Sequence, residues 1–346
     1  MLYPEIDLTY LRALTDSAGI IQHATHSVPN RHLGYTTDDN ARALIVATRQ
    51  FERTGDRKDL DLAVTYLSYL HHSQSPSHRF RNIMTYNRSF IDEEGTEDCY
   101  GRAIWACGVA ASSKLPENIK IVAANIFRDS IGWAGDLSSP RAKAYCILGM
   151  SSYLRDNEDD LGLLDKIDAL ADSLVVGLNM YSDKTWRWYE PYLTYGNAIL
   201  PLSMLVAGDV LSNQTYKNVA IQTIEFLTEV LIVDGRLDII GNDGWYMRGG
   251  KRALYDQQTI DAGYTVMLYT EAYKRLGDKQ YYELAHTAHS WFFGNNRSGV
   301  WVYDPITKGC YDAITPEGVN LNQGAESCIC FLLAQIAIAE LDSESK

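Results

Sequence analysis

The sequence predicts an all-α fold in which six inner helices form a ring, a toroid, inside six outer helices. Two observations predict it: amphipathic segments alternate with segments that are apolar on every face, and this alternation repeats six times in 346 residues. Recurrence on this scale is typical of closed or stacked helical arrays. We therefore expect a single domain over residues 1–346.

The outer helices are predicted from apolar stripes at a period of 3.6 residues, which leave the opposite face in water. In chain order the stripes begin at Leu8, Ala63, Ile119, Leu164, Ala220 and Leu284. The inner helices are predicted from segments without a polar face, which must be buried. These segments span residues 41–47, 103–111, 142–150, 198–207, 262–272 and 325–339, and their small residues permit close approach.

The connections between the predicted helices differ in length at the two ends of the ring. Turns that follow inner helices are short, whereas four connections that precede inner helices are long, at residues 17–36, 73–95, 232–255 and 294–319. Long ordered loops in compact domains are usually functional. We therefore expect a site in the mouth of the ring, at the end where the inner helices begin.

Composition excludes several classes of function. The net charge is −13 without a basic cluster, which argues against nucleic acid and anionic membranes as partners. No segment approaches the roughly 20 apolar residues of a membrane span, and the first residues lack a signal core, so we expect a cytoplasmic protein. The six cysteines have no metal-binding spacing and no glycine-rich phosphate loop is present, so neither metal nor cofactor is expected.

Polar and mostly acidic stretches open the predicted inner helices. They are Thr37-Asp38-Asp39-Asn40, Thr96-Glu97-Asp98, Ser139-Pro140-Arg141, Glu190-Pro191-Tyr192, Asp256-Gln257-Gln258-Thr259 and residues 320–326. Acids at helix starts can simply cap the helix or complement its dipole. Glu190 and Glu326 are not preferred capping residues, however, and buried acids are costly unless they are paired or used. We expect these acids, with Asp261, to converge on the mouth.

Aromatic and amide side chains accompany the acids in the loops. Aromatic rings can plug the mouth, or they can stack on the apolar faces of a ligand whose hydroxyls meet carboxylates and amides. The second interpretation suits a neutral carbohydrate. The candidate substrate-binding residues are Tyr35, Asp38, Asn40, Asp98, Trp186, Trp188, Tyr195, Asn197, Trp245, Arg248, Asp256, Gln257, Gln258 and Asn322.

Paired acids across a sugar are the machinery of glycoside hydrolysis. Carboxyl groups about 6.5–9.5 Å apart lead to inversion, and groups about 5–5.5 Å apart lead to retention. Acids on different helices of one ring suit the wider spacing, so we expect an inverting hydrolase. Glu190, among tryptophan and tyrosine residues, or Glu326 is the candidate general acid, and Asp39 or Asp261 is the candidate general base.

Several sequence strings resemble those of the six-hairpin, (α/α)6-barrel glycosidase superfamily. More specifically, the chain is similar to an uncharacterised bacterial glycosidase-like family that is also found fused C-terminal to glycosyltransferases. The similar strings are residues 34–44, 186–190, 193–198, 200–201, 241–246, 256–262 and 322–327, with Thr259 where that family is expected to have proline. The resemblance implies a carbohydrate-active fold, an oligosaccharide substrate and a functional link to a glycosyltransferase.

Two alternatives remain open. The first is a sugar lyase or epimerase on the same fold; a lyase needs cations for a uronate, for which Arg31, Arg81 and Arg248 are candidates, and a tyrosine or histidine base. His23 and His26, in the first long loop, can line the mouth. The second is a non-catalytic glycan-binding module that serves a partner glycosyltransferase.

Overall fold

The computed structural model describes residues 3–157 and 160–344 of the chain. The ends of the predicted domain, residues 1–2 and 345–346, and residues 158–159 lie outside that description. The predicted all-α double ring is confirmed over the described residues. The α-helices are α1 (Thr9–Leu14), α2 (Thr37–Thr54), α3 (Arg57–Ser73), α4 (Glu97–Ala111), α5 (Glu117–Ser130), α6 (Pro140–Tyr153), α7 (Leu161–Tyr181), α8 (Ile199–Val210), α9 (Gln214–Leu231), α10 (Thr259–Leu276), α11 (Lys279–His289) and α12 (Ala325–Glu344).

The even-numbered helices form the inner ring. Each packs against the next, and α12 packs against α2, so the ring is closed. Helices α3, α5, α7, α9 and α11 lie outside α2, α4, α6, α8 and α10, and the short α1 lies against α12. Close approach depends on small residues: a Cβ on Gly108 of α4 would overlap the backbone oxygen of Gly149 on α6. None of the described helices is long and apolar enough to cross a bilayer.

The two ends of the ring are built differently. At one end, short turns lead from inner to outer helices, as at Gly55 after α2, whose φ of 65° ends the helix in the left-handed region. At the other end, the long loops form short antiparallel strand pairs. The strands are β1 (Ala24–Thr25), β2 (Val28–Pro29), β3 (Tyr35–Thr36), β4 (Ile83–Met84), β5 (Tyr192–Leu193), β6 (Ile232–Val233), β7 (Arg236–Leu237), β8 (Tyr246–Met247), β9 (Gln257–Gln258), β10 (Ala313–Thr315) and β11 (Gly318–Asn320).

These strands tie the loops to one another around the mouth. Strands β1 and β2 pair, as do β3 with β4, β5 with β8, and β6 with β7, while β10 pairs with both β9 and β11. The β5–β8 pair joins the loop before α8 to the loop before α10, and the β9–β10 pair joins the start of α10 to the loop before α12. The mouth is therefore shaped by pairings between distant segments.

One predicted opening lies away from its helix. Glu190-Pro191-Tyr192 does not begin the fourth inner helix, because α8 begins only at Ile199. The intervening chain forms β5 and then turns through Gly196, whose φ is 58°. The string around Glu190 therefore belongs to a loop.

An aromatic layer fills the middle of the ring. Trp105 of α4 stacks on Tyr145 of α6 with ring centroids 5.8 Å apart, and Tyr264 of α10 lies 6.2 Å from both rings. All three side chains are buried. This layer separates the mouth from the opposite end of the ring.

Candidate active site

A polar depression opens where the inner helices begin. Its larger part, the main cavity, has a volume of about 430 Å³, and an adjoining side cavity of about 310 Å³ shares Arg102, Gln258 and Glu326 with it. The main cavity is lined by Gln22, His23, Thr36, Asp38, Asp39, Arg42, Asn82, Ile83, Arg102, Asn242, Asp256, Gln258, Thr259, Asp312, Ala313, Asn320, Gly324, Glu326 and Ser327. The side cavity is lined by Thr96, Asp98, Arg102, Tyr195, Trp245, Gln258, Ile260 and Glu326.

One guanidinium joins two carboxyl groups of the main cavity. Arg42 of α2 donates to Asp39 at 2.7 Å and to Glu326 of α12 at 2.8 Å. Asp39 also accepts a hydrogen bond from the Thr36 hydroxyl at 2.7 Å. Burial raises the pKa of Asp39, and the charge of Glu326 raises it further, against the pull of Arg42. Because two carboxyl groups share one cation, the buried Asp39 retains a proton more readily than an ordinary aspartate.

A second arginine organises the neighbouring acids. Arg102 of α4 lies 2.6 Å from Asp38 and 3.6 Å from Asp98, and Asn82 donates to the second oxygen of Asp38 at 2.9 Å. Burial alone would raise the pKa of Asp38. The cations Arg102 and Arg42 and these hydrogen bonds outweigh it and hold that pKa below its usual value. The pKa values of the consecutive residues Asp38 and Asp39 are therefore shifted in opposite directions.

Asp261 is a third acid, behind the cavity wall. It is only 3% exposed, and the preceding residues 258–260 line the two cavities. Asn197 donates to its Oδ1 from the backbone at 3.2 Å and from the side chain at 3.3 Å. Burial raises the pKa of Asp261 to about 7, with Glu326 adding to the rise while Asn197 and Arg141 oppose it. At neutral pH a large fraction of Asp261 therefore carries a proton.

The raised pKa values of Asp39 and Asp261 are opposite to those expected of ionised bases. Each is the third residue of its helix, where the helix dipole favours the charged form. Desolvation outweighs that effect, because both side chains are almost completely buried. The position of an acid at a helix start predicts how the helix dipole acts on its pKa, but it does not predict how deeply the carboxyl group is buried.

The structure brings about half of the predicted site residues together. The members that line the main or side cavity are Asp38, Asp39, Asp98, Tyr195, Trp245, Asp256, Gln258 and Glu326. Tyr195 and Trp245 lie together in the side cavity, with ring centroids 6.2 Å apart, and the Tyr195 hydroxyl donates to Asp98 at 3.0 Å. The side cavity therefore has an aromatic wall next to a carboxylate.

Glu190 and most predicted aromatic platforms lie outside both cavities. Glu190 is buried and receives two hydrogen bonds from Arg141, at 2.9 and 3.1 Å. Trp186 and Trp188 are core residues, and the Trp186 indole donates to the backbone of Glu190 at 2.8 Å. Tyr35 is also buried, and its hydroxyl donates to an aspartate of the first long loop. These rings are packed into the fold because their loops turn inward.

The remaining predicted residues hold loops in place. Asn40 donates to a backbone oxygen of its own helix start at 2.8 Å, and the side chain of Gln257 donates to a buried aspartate at 2.7 Å. Asn197 holds Asp261, as described. Arg248 is exposed and donates to a backbone oxygen at 2.7 Å, and Asn322 accepts from a backbone amide of the first long loop at 2.9 Å. Polar residues near a site thus serve its scaffold as often as its surface.

Several lining residues were not predicted. Arg42 and Arg102 each follow an aspartate, Asp38 or Asp98, by four residues on a helix that is otherwise buried. This repeated spacing is a signal that sequence inspection could have found, since residues four apart share a helix face. Other unpredicted lining residues, such as Asn82 and Asp312, come from loops without any comparable pattern.

The site is strongly acidic. Six carboxyl groups line the two cavities, and the cations among the lining residues are Arg42 and Arg102, both already bound to carboxylates. One histidine, His23, lies among the residues that line the main cavity. Within residues 3–157 and 160–344, no group of three or more histidine, cysteine, aspartate and glutamate side chains is arranged to hold a metal ion. This charge balance disfavours an anionic ligand.

No protein-family model and no curated protein matches the sequence. Solved structures do match. The cellobiose 2-epimerase from Spirochaeta thermophila is 12% identical with a TM-score of 0.75, over 99% of this chain and 95% of that chain. The GH76 α-mannanase of Bacteroides thetaiotaomicron is 11% identical with a TM-score of 0.70, over 97% and 94% of the two chains.

A second mannanase structure contains a bound oligosaccharide. It is an inactive variant of the GH76 α-1,6-mannanase of Salegentibacter sp., with two consecutive aspartates replaced by asparagine, in complex with α-1,6-mannotriose. It is 13% identical to this chain with a TM-score of 0.64, over 96% of both chains. Hydrolases and epimerases are thus both among the similar structures, and at this identity the likeness concerns the fold. The chain has the (α/α)6-barrel fold that these structures share.

Proposed function

We propose that this protein is a glycoside hydrolase that acts on a neutral oligosaccharide with inversion. The observation that carries the proposal is a pair of neighbouring carboxyl groups in different surroundings. Asp261 is almost completely buried, which raises its pKa to about 7, so it can donate a proton, whereas Glu326 is partly exposed and is bound to Arg42. Two carboxyl groups in contrasting environments supply the acid and the base in glycosidases.

Each residue has a role in this proposal. Asp261 protonates the glycosidic oxygen, and Glu326, whose side chain is 40% exposed at the junction of the two cavities, activates water. Asp39 shares Arg42 with Glu326, so the same guanidinium holds both carboxyl groups in place. Tyr195 and Trp245 supply an apolar wall for one sugar ring. Glu190, the other candidate acid, has no role because both of its carboxylate oxygens accept hydrogen bonds from Arg141.

A further observation supports hydrolysis of a neutral sugar. A lyase for uronates would need free cations, but Arg42 and Arg102 are bound to carboxylates. The candidates Arg31, Arg81 and Arg248 do not line either cavity. With six buried free thiols, the proposed setting is the cytoplasm.

The direct test is turnover of an oligosaccharide panel by single variants. Manno- and gluco-oligosaccharides of both anomeric linkages are incubated with the protein in H₂¹⁸O, and label in the product shows hydrolysis. Asp261→Asn and Glu326→Gln are expected to lower kcat at least a hundredfold, as loss of a general acid or base does. Asp61→Asn and Glu229→Gln, both on exposed surfaces of outer helices, are the matched controls. Full activity of both site variants would contradict the assignment.

A second candidate is a sugar 2-epimerase, which His23 specifically favours. An imidazole can remove the proton next to a sugar carbonyl at neutral pH, and His23 lines the main cavity. Incubation in D₂O separates the candidates, because epimerisation incorporates deuterium at carbon 2 without cleaving a glycosidic bond. A non-catalytic module linked to a glycosyltransferase would instead bind the panel sugars without converting them, and would keep that binding when Asp261 and Glu326 are replaced.

A further inference from the structure

A second cavity lies at the opposite end of the ring, where the inner helices end. This basal cavity has a volume of about 200 Å³ and is walled by the C-terminal parts of all six inner helices. The aromatic layer of Trp105, Tyr145 and Tyr264 separates it from the main cavity. The proposed hydrolysis makes no use of it.

The walls of the basal cavity are apolar and adaptable. Trp105, Leu148, Leu202, Val206 and Met267 form most of the apolar surface. An engineered apolar cavity of about 150 Å³ is large enough to bind benzene. At 200 Å³, the basal cavity has room for one such ring with a small polar group attached. Methionine and tryptophan side chains suit a flat apolar body.

Three arginines and two glutamates line the basal cavity, and one of the glutamates, Glu340, is paired with Lys274 at 3.7 Å. Arg275 is bound to Asp209 and Glu271, at 2.5 and 3.0 Å, and is neutralised by them. Arg49 and Arg155 also line the cavity, yet within the described parts of the chain neither has an ion pair or hydrogen bond. Six helices end near this cavity, and the negative potential of their C-termini favours cations there, so Arg49 and Arg155 also stabilise these helix ends. A guanidinium also presents paired donors that match a carboxylate or similar anion.

Two buried hydroxyls in the cavity wall also lack partners. Ser151 and Thr270 are 9% and 2% exposed, and in the described structure their side-chain oxygens make no hydrogen bond. A buried hydroxyl without a hydrogen-bond partner destabilises the fold. Both residues line the basal cavity, where a rotated hydroxyl could donate to a bound acceptor. The combination of unpaired cations, unpaired donors and apolar walls points to a ligand.

We propose that the basal cavity binds a small organic anion with an aromatic or branched apolar body. The anionic group lies at the rim between Arg49 and Arg155, and the apolar body lies against Trp105 and Met267. This site is separate from the proposed sugar site in both place and chemistry, because five carboxyl groups and two arginines line the main cavity, whereas three arginines and two glutamates line the basal cavity.

Titration calorimetry of the full chain with benzoate tests the proposal. We expect saturable binding of one benzoate per chain, and weaker binding of the uncharged benzyl alcohol. The double variant Arg49→Gln with Arg155→Gln should weaken benzoate binding at least tenfold. Arg53→Gln, exposed one turn further along α2, is the matched control and should leave binding unchanged.

A cavity-filling variant provides an independent measurement. Val206→Phe places a ring in the basal cavity and should abolish benzoate binding, while circular dichroism reports whether the fold is kept. Absence of saturable benzoate binding to the wild-type protein would overturn the proposal. Equal affinity of the wild-type protein and the double arginine variant would also overturn it, because the anion would then not be recognised at this rim.

Discussion

The substitution Asp261→Asn should change how the free energy of unfolding depends on pH, by an amount that follows from the pKa of Asp261. The carboxyl has an ordinary pKa of 3.8 and a pKa of about 7 in the folded chain, so folding requires it to hold a proton or to bury a charge. A difference of about three pKa units corresponds to about 4 kcal/mol, at about 1.4 kcal/mol per unit. This stabilising protonation is fully present below about pH 4 and is lost as the pH rises through about 7.

Asparagine keeps the oxygen that accepts from Asn197 but cannot ionise. The difference in free energy of unfolding, variant minus wild type, should therefore increase by about 4 kcal/mol between pH 4 and pH 8. Above pH 8 it should remain constant. Urea unfolding of both proteins across this range measures the difference. Asp61→Asn, at an exposed aspartate, should show no such trend.

A raised pKa of Asp261 is refuted if the difference in free energy of unfolding between the variant and the wild type does not change with pH. An increase smaller than about 1.4 kcal/mol between pH 4 and pH 8, equivalent to one pKa unit, would mean that burial does not keep this carboxyl protonated. The role of Asp261 as a proton donor at neutral pH would then lose its physical basis, whatever its activity.

Three further predictions concern other parts of the molecule. Arg42→Met should lower the free energy of unfolding by about 3–5 kcal/mol in urea titrations, because two carboxyl groups lose their cation. Gly108→Ala should lower it by about 1–3 kcal/mol, since the added Cβ overlaps the facing backbone of α6, whereas Gly132→Ala, with open space around it, should not. Trp245→Ala should raise KM for a confirmed oligosaccharide about tenfold, equivalent to about 1.4 kcal/mol. An unchanged KM would remove Trp245 from the sugar-binding wall.

Much of the fold could be predicted from the sequence because its signals are local. Periodic apolar stripes and segments without a polar face directly reflect which helix faces meet water. The alternation of the two types therefore predicted both rings, and the lengths of the connections predicted the end at which the long loops and the candidate site lie. The short strands around the mouth were not predictable in this way, since each is two or three residues long and pairs with a distant segment.

The candidate site was predictable only in part. Asp38, Asp39 and Glu326 were identified because acids at the start of buried helices are conspicuous. Trp186 was assigned to the sugar surface on its loop position, but its ring is packed in the core. Arg42 was overlooked, although its spacing from Asp38 was visible, because the inner helices were interpreted as uniformly apolar.

The sequence alone determined that twelve helices alternate in burial and that acids and aromatic residues collect at one end of a ring. Only the tertiary structure decided which of those groups face the cavity and which carry protons. The physical reason is that pKa and exposure depend on neighbours from several helices at once. Arg42 lies beside Glu326, 284 positions away in the chain, and no local pattern encodes that contact.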